Sequence, residues 1–166
     1  MPDARLAFLA VVGALMIGET LWSWRNERFL RRQGAVEPVD DVFLWMLVAY
    51  PGSFAVMGAE AFTAPTVGAP IAGAACLVVA KVLKYWAIGS LGRRWCFRVL
   101  VPPGSRPLAG GPYRWLRHPN YVAIVLELLA TATFLGAWRS GLFATTGFVW
   151  LMWRRVAVEE RALGLR

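Results

Sequence analysis

Long apolar segments constrain this fold more than any other feature of the sequence. Three of them, residues 4–22, 42–62 and 67–89, are each close to the roughly 20 residues that a helix needs to cross about 30 Å of hydrocarbon. Hydrophobic residues make up 58% of the 166-residue chain, a larger fraction than in an ordinary soluble domain. The sequence therefore predicts an all-α integral membrane protein.

A fourth apolar segment, residues 121–153, would be about 50 Å long as one helix, which is too long for one crossing. Glycine, serine, arginine and tryptophan at 136–141 are typical of a turn at a membrane surface. We therefore expect a helical hairpin and about five transmembrane helices. Residues 1–90 would form three N-terminal spans. Residues 91–166 would form a cytoplasmic loop, the hairpin and a C-terminal tail.

The net charge of +8 is concentrated in alternate loops. The basic residues of these loops are Arg25, Arg28, Arg31, Arg32, Arg93, Arg94, Arg98, Arg106, Arg114, Arg117, Arg154, Arg155, Arg161 and Arg166. With five spans they share one side, and only Arg5 and Arg139 remain on the other. The positive-inside rule then places the N-terminus outside and the C-terminus in the cytoplasm. Anionic lipids, rather than nucleic acid, are the expected partners of this charge.

The few metal-binding and thiol side chains limit the chemistry. Cys76 lies in a predicted span and Cys96 in a loop, so we expect no disulfide, and one histidine gives no metal site. The first span lacks a cleavage site and is expected to be retained as an anchor. Residues 36–41 are expected to form a short loop. The oligomeric state stays open, because Gly13, Gly18, Gly68 and Gly73 permit contacts within or between chains.

Three glutamates fall inside predicted spans, where an ionisable group marks a site or a buried partner. Glu19 is close to the basic interface, so its side chain is expected either to extend to that interface or to pair with Arg25 or Arg28. Glu60 lies at the outer end of its span, where solvent exposure is expected. Glu127 is the deepest and has two interpretations: it faces a substrate, or it is buried in a hydrogen bond with Lys81 or Lys84.

The single histidine lies at the start of the fourth apolar segment. Pro119 suits the first position of a helix, which leaves His118 at the N-cap, where free N–H groups favour an anion. Tyr121 follows on the same helical face, so both side chains can reach one ligand. The alternative is an interfacial belt, with Arg114 and Arg117 on lipid phosphates.

Two adjacent carboxylates, Glu159 and Glu160, follow the last span. A hairpin returns this point of the chain to His118, so the two ends can share a site. The alternative is a solvated helix end in which Glu159 pairs with Arg155 four residues earlier.

The order of these residues resembles the isoprenylcysteine carboxyl methyltransferase family, which is related to phospholipid methyltransferases. The resemblance covers about 91–163, and one departure from the family is Ala123, where glycine is frequent. Its motifs are Gly111-Pro112-Tyr113-Arg114, Arg117-His118-Pro119-Asn120-Tyr121 and Glu159-Glu160. Two further stretches, 90–95 and 101–104, resemble the bacterial branch associated with type III polyketide synthases.

The resemblance implies an S-adenosylmethionine-dependent O-methyltransferase in a bacterial plasma membrane, with its site facing the cytoplasm. The acceptor implied is lipophilic and enters from the bilayer: a phenolic lipid, an alkylpyrone or an isoprenylcysteine carboxylate. The cofactor-binding residues implied are Gly92, Tyr113, Arg117, His118, Pro119, Tyr121, Glu159 and Glu160. The candidate catalytic residues are His118, Tyr121 and Glu127.

Two other functions are compatible with parts of the pattern. Sterol and steroid reductases of membranes carry a similar Arg-His-Pro-Asn-Tyr stretch and bind NADPH. A non-enzymatic membrane protein is the third possibility. The glutamate pair and the short spans favour the methyltransferase.

Overall fold

The computed structural model describes residues 2–38, 42–64, 66–104 and 108–162. They form five α-helices: α1 (Pro2–Arg32), α2 (Phe43–Thr63), α3 (Pro70–Leu91), α4 (Pro119–Leu135) and α5 (Trp138–Ala162). Two 3₁₀ turns, Gly92–Arg94 and Gly111–Arg114, lie between α3 and α4. Extended pairing in the described residues amounts to one bridge between Val36 and Val101. The all-α prediction is confirmed for this part of the chain.

Some predicted features fall outside these residues. Residues 36–38 are not helical, in agreement with the predicted loop, whereas 39–41 are not described. Arg106 and Arg166, two of the basic loop residues, also lie outside the described part of the chain.

In the described part of the chain, three helices are long and apolar enough to cross a membrane: α1, α2 and α3 with its continuation to Arg94. The helix α4 is apolar but has 17 residues, about 26 Å at 1.5 Å per residue. The helix α1 continues well past the predicted span 4–22, to Arg32. Its polar end packs against the loop after α3, because the Asn26 amide donates to the carbonyls of Gly92 (3.2 Å) and Trp95 (2.7 Å).

The helices run alternately between two ends of the bundle. At one end, here called the loop end, Arg155 of α5 donates to the carbonyl of Phe97 in the α3–α4 loop. At the other, here called the turn end, Arg5 of α1 donates to the carbonyl of Ala61 at 2.6 Å. The C-terminal ends of α1, α3 and α5 therefore lie together at the loop end.

The predicted hairpin is confirmed, with a shorter turn than residues 136–141. The helix α4 ends at Leu135, Gly136 adopts the left-handed conformation (φ +73°), and α5 begins at Trp138. A Cβ at Gly136 would lie 2.7 Å from the carbonyl oxygen of Thr66. Glycine therefore meets both a conformational and a steric requirement here.

Glu60 holds the start of α5. Its carboxylate accepts hydrogen bonds from the backbone N–H groups of Arg139 (3.3 Å) and Ser140 (2.7 Å), which would otherwise be unpaired at a helix N-terminus. Glu60 lies at the surface, as expected, but its carboxylate also has these two backbone partners. This side chain fixes the hairpin against α2.

Close contact between α3 and α4 depends on small residues. A Cβ at Gly73 would lie 2.6 Å from the backbone nitrogen of Phe134, and one at Gly68 would lie 2.6 Å from its carbonyl oxygen. These two glycines make contacts within the chain. Gly13 and Gly18 of α1 have open space where a Cβ would lie.

Candidate functional site

Four ionised side chains form a buried cluster between α1, α3 and α4, here called the inner cluster: Glu19, Lys81, Lys84 and Glu127. The Lys81 amine lies 2.7 Å from Glu19 and 2.9 Å from Glu127, and the Lys84 amine lies 2.6 Å and 3.2 Å from the same carboxylates. The predicted partners of Glu19, Arg25 and Arg28, are therefore wrong. The predicted pairing of Glu127 with a lysine of α3 is confirmed with both.

Tyr50 of α2 completes the inner cluster. Its hydroxyl donates to the Glu127 carboxylate, and the Lys84 amine lies 5.4 Å from the centre of its ring. Two cations and two anions give a net charge of zero. Each charge has partners of opposite sign, so ionic contacts join α1, α3 and α4, and the Tyr50 hydroxyl ties α2 to them by a hydrogen bond.

At the loop end, the start of α4 meets the end of α5. His118 lies between two carboxylates: Nδ1 is 3.6 Å from Glu159 and Nε2 is 3.6 Å from Glu160. Arg117 also approaches Glu160, at 3.8 Å, with a side chain that is 83% exposed. The hairpin thus brings together the two motifs that the sequence separates by about forty residues, as predicted.

Tyr121 connects the group formed by His118, Glu159 and Glu160, here called the acid site, to an arginine. Its hydroxyl donates to Glu159 at 3.0 Å and accepts from Nε of Arg155 at 3.0 Å. The His118 and Tyr121 rings are nearly parallel, with centroids 5.6 Å apart. The imidazole and the phenol therefore face the Glu159 carboxylate together, and a ligand shared by both stays a prediction.

Electrostatics favour an ion pair in this acid site. Contact with the Glu159 carboxylate raises the pKa of His118 above its ordinary value of 6.5. Burial acts to raise the pKa of Glu159, but contact with His118, Tyr121 and Arg155 outweighs it and lowers that pKa overall. Both shifts favour imidazolium and carboxylate near neutral pH.

A cavity of about 360 Å³, here called the loop-end cavity, opens beside these residues. Its volume lies within the roughly 300–1,000 Å³ of small-molecule sites. Its wall carries both signs of charge, an amide and aromatic rings. The lining includes Arg94, Trp95, Arg98, Tyr113, Arg117, His118, Asn120, Tyr121, Arg155, Glu159 and Glu160.

A second cavity, of about 490 Å³ and here called the bundle cavity, lies between the helices and is largely apolar. Its apolar wall includes Leu9, Val12, Met16, Ile17, Met46, Leu47, Phe54, Ile124 and Phe148. The two cavities share Cys96, Asn120, Tyr121 and Arg155. These four residues form the junction between a polar cavity and an apolar one.

The structure brings together most of the predicted site residues. Six of the eight cofactor-binding candidates line the loop-end cavity: Tyr113, Arg117, His118, Tyr121, Glu159 and Glu160. Pro119 is buried as the first residue of α4. Gly92 adopts a positive φ of 56° after α3, and its carbonyl accepts from Asn26. Glu127 lies apart, in the inner cluster. The binding and catalytic roles of these residues stay predictions.

Arg155 and Asn120 line both cavities but are not among the predicted site residues. The spacing of Arg155 and Glu159 indicates only a pair on a solvated helix end, whereas the structure buries Arg155 at the junction. Asn120 lies in the Arg-His-Pro-Asn-Tyr motif, but the sequence assigns it no role of its own. Its amide oxygen is buried and has no hydrogen-bond partner among the described residues.

Known proteins similar to this chain place it in a family. It is 28% identical over 141 residues to the uncharacterized protein YpbQ of Bacillus subtilis (strain 168), a match covering 84% of each chain. No solved structure matches. The model of the isoprenylcysteine carboxyl methyltransferase (ICMT) family matches residues 73–164, which include α3 from Gly73, the loop, the hairpin and the whole acid site. The chain belongs to this family of membrane methyltransferases.

Proposed function

We propose that the protein is a membrane-embedded O-methyltransferase that transfers a methyl group from S-adenosylmethionine to an oxygen of a lipophilic acceptor. One observation carries the proposal: a polar cavity with both signs of charge meets an apolar cavity at Tyr121 and Arg155. A water-soluble methyl donor suits the first and a lipid suits the second. Family membership supports methyl transfer.

The loop-end cavity fits S-adenosylmethionine by its chemistry. Glu159 and Glu160 suit the donor's ammonium group, Arg117 and His118 suit its carboxylate, and aromatic rings such as Tyr113 suit its adenine. The unpartnered amide oxygen of Asn120 adds a buried acceptor for a donor group of a ligand. When bound, S-adenosylmethionine supplies a methyl group on a sulfonium, open to in-line displacement.

The bundle cavity suits the acceptor. Ile17 of α1 and Leu47 of α2 line it while remaining 63% and 47% exposed, so the cavity reaches the outer surface of the bundle between these helices. In a bilayer that surface faces lipid, and a lipophilic molecule can enter sideways. Phenolic lipids, alkylpyrones and isoprenylcysteine carboxylates share this character.

Tyr121 and Arg155 orient the reacting oxygen at the junction. The Arg155 guanidinium stabilises an oxygen anion, and the apolar wall of the bundle cavity excludes water. An acceptor that is already ionised needs no base. His118, with its raised pKa and two carboxylate neighbours, suits donor binding better than proton abstraction. Glu127 is held in the inner cluster by both lysines, so a role as base would require it to leave them.

The membrane arrangement follows from the positions of the charges. We assign α4 and α5 to the membrane with the other three helices, with the N-terminus outside and the loop end in the cytoplasm, because the basic residues gather at the loop end. The Bacillus relative fits a bacterial plasma membrane. Anionic lipids would contact the basic surface.

Calorimetric titration of the purified protein with S-adenosylmethionine, and separately with NADPH, tests the proposal. We expect binding of S-adenosylmethionine that weakens at least tenfold in a Glu159→Gln, Glu160→Gln variant, because each charged hydrogen bond contributes about 1.5–3 kcal/mol. Glu60→Gln removes a carboxylate at the turn end and serves as the matched control, with unchanged affinity. NADPH binding, or no binding of S-adenosylmethionine by folded protein, would contradict the proposal.

A further inference from the structure

A polar band crosses the otherwise apolar wall of the bundle cavity. It consists of the parts of the inner cluster that line the cavity: Glu19, Tyr50 and Lys84. Ionisable groups at such depth are costly, so their presence on a cavity wall points to recognition of a ligand. Lys81 and Glu127 complete the cluster behind this band and do not line the cavity.

The band lies a short distance from the junction of the two cavities. Tyr121 at the junction and Glu127, which accepts from Tyr50, are six residues apart on α4, about 9 Å along the axis. On α2, Met46 contacts Arg155 (3.8 Å from its sulfur to the guanidinium), and Tyr50 follows four residues later, about 6 Å along the axis. The head group of one small molecule can span this separation with a hydrogen bond at each end.

The cavity continues beyond the band as an apolar surface. Leu9 and Val12 on α1, Phe54 on α2 and Phe148 on α5 line this part. From the junction inward, the cavity therefore presents a polar end, a polar band and an apolar compartment. The order matches an amphiphile with two oxygens in its head group and an alkyl tail.

The charge balance of the inner cluster determines whether the second oxygen of the ligand's head group can carry a charge. Two lysines and two glutamates already neutralise each other, so another charge at this depth would have no counter-ion. An uncharged oxygen fits, because Lys84 has three N–H donors for two carboxylate neighbours. The Tyr50 oxygen also keeps lone pairs that can accept a hydrogen bond.

We propose that Tyr50 and Lys84 hydrogen-bond a second, uncharged oxygen of the acceptor, so that the protein selects head groups with two oxygens over head groups with one. This inference rests on the proposed function, which places the reacting oxygen at Tyr121 and Arg155. It identifies Tyr50 and Lys84 as specificity-determining residues.

The test uses two probes that differ by one hydroxyl: a 5-alkylresorcinol and the 3-alkylphenol of the same chain length. Tritiated probes are titrated against the protein in nanodiscs, with empty nanodiscs subtracted. We expect the wild type to bind the two-oxygen probe roughly tenfold more tightly, the effect of one hydrogen bond to a charged group. Tyr50→Phe should reduce the ratio of the two probe affinities about threefold or more, because the two-oxygen probe binds more weakly while binding of the one-oxygen probe is unchanged.

Tyr85→Phe is the matched control. Its ring lies 5.9 Å from the Lys81 amine of the same cluster, but Tyr85 does not line the bundle cavity. It should leave the ratio unchanged. Equal binding of both probes by the wild type, equal effects of the two phenylalanine variants, or binding of neither probe would overturn the inference. Calorimetry with S-adenosylmethionine on the same samples reports separately on the proposed function.

Discussion

The inner cluster and the acid site at the loop end contain the same residue types, but their charges are paired and exposed differently. Each contains two glutamates, basic side chains and a tyrosine that donates to a glutamate. In the inner cluster, two lysines and two glutamates satisfy one another. At the loop end, two carboxylates share the His118 imidazole, Glu160 also approaches the exposed Arg117, and a polar cavity opens beside them. The same residue types therefore form a charge-balanced cluster in one place and a partly exposed group that is open to a charged ligand in the other.

Depth explains the difference. The Lys84 and Glu127 side chains are 2% and 1% exposed, so an unpaired charge there would have neither water nor a counter-ion. At the loop end Glu160 is only 4% exposed, but His118 and Glu159 are 20% and 31% exposed at the border of a polar cavity. The exposed charges of His118 and Glu159 can exchange one partner for another when a ligand binds.

The largest effect is expected from Glu127→Gln. This change leaves two buried lysines facing one carboxylate, and breaking a buried ion pair on one side costs about 3–5 kcal/mol. We expect a loss of this size in the free energy of unfolding, measured by denaturation in detergent.

A double variant provides the control for that loss. Lys81→Met combined with Glu127→Leu restores the charge balance, so it should destabilise the protein less than the sum of its two single changes. Additive losses would show that these side chains are not coupled. A loss below about 1 kcal/mol for Glu127→Gln would show that the inner cluster does not stabilise the fold.

An intermediate effect is expected from Arg155→Lys, which keeps the charge but loses the planar guanidinium group with its fixed N–H directions. The guanidinium reaches Tyr121, the carbonyl of Phe97 and Met46 at once, and an amine cannot reproduce this set of directions. Because Arg155 also lines the loop-end cavity and holds Tyr121 and the Phe97 carbonyl in place, we expect binding of S-adenosylmethionine to weaken about tenfold, the effect of one hydrogen bond to a charged group.

The neighbouring Arg154→Lys is the control for this change. Arg154 is exposed and stacks on Trp150, so the same substitution should leave donor affinity unchanged. Equal effects of the two substitutions, measured by calorimetry, would remove Arg155 from the junction.

The smallest effect is the pH dependence of His118. Because its pKa is raised above 6.5 in the folded protein, its ion pairs with Glu159 and Glu160 contribute stability that is fully present below pH 6.5. This contribution is lost as the pH rises through the raised pKa. The stability advantage of the wild type over His118→Gln should therefore shrink with increasing pH in a series of denaturation curves. A constant or growing advantage would contradict the ion pair.

The sequence predicts the framework well because its signals are local. Apolar segments identify α1, α2 and α3, and Gly136 marks the turn that returns Glu159 and Glu160 to His118. Partners across the bundle are not local: Glu19 has arginines nearby in sequence but pairs with lysines of α3. Arg155 is similar, because only packing against the α3–α4 loop shows that this arginine is buried.

The proposed function places a methyl donor at the loop end, directly beside the apolar bundle cavity. An experimental structure with S-adenosylhomocysteine would show whether the donor binds there. We expect this ligand in the loop-end cavity, in contact with His118, Glu159 and Glu160, with its sulfur turned toward Tyr121 and Arg155. Ligand bound away from these residues, or with its sulfur turned away from the bundle cavity, would contradict it.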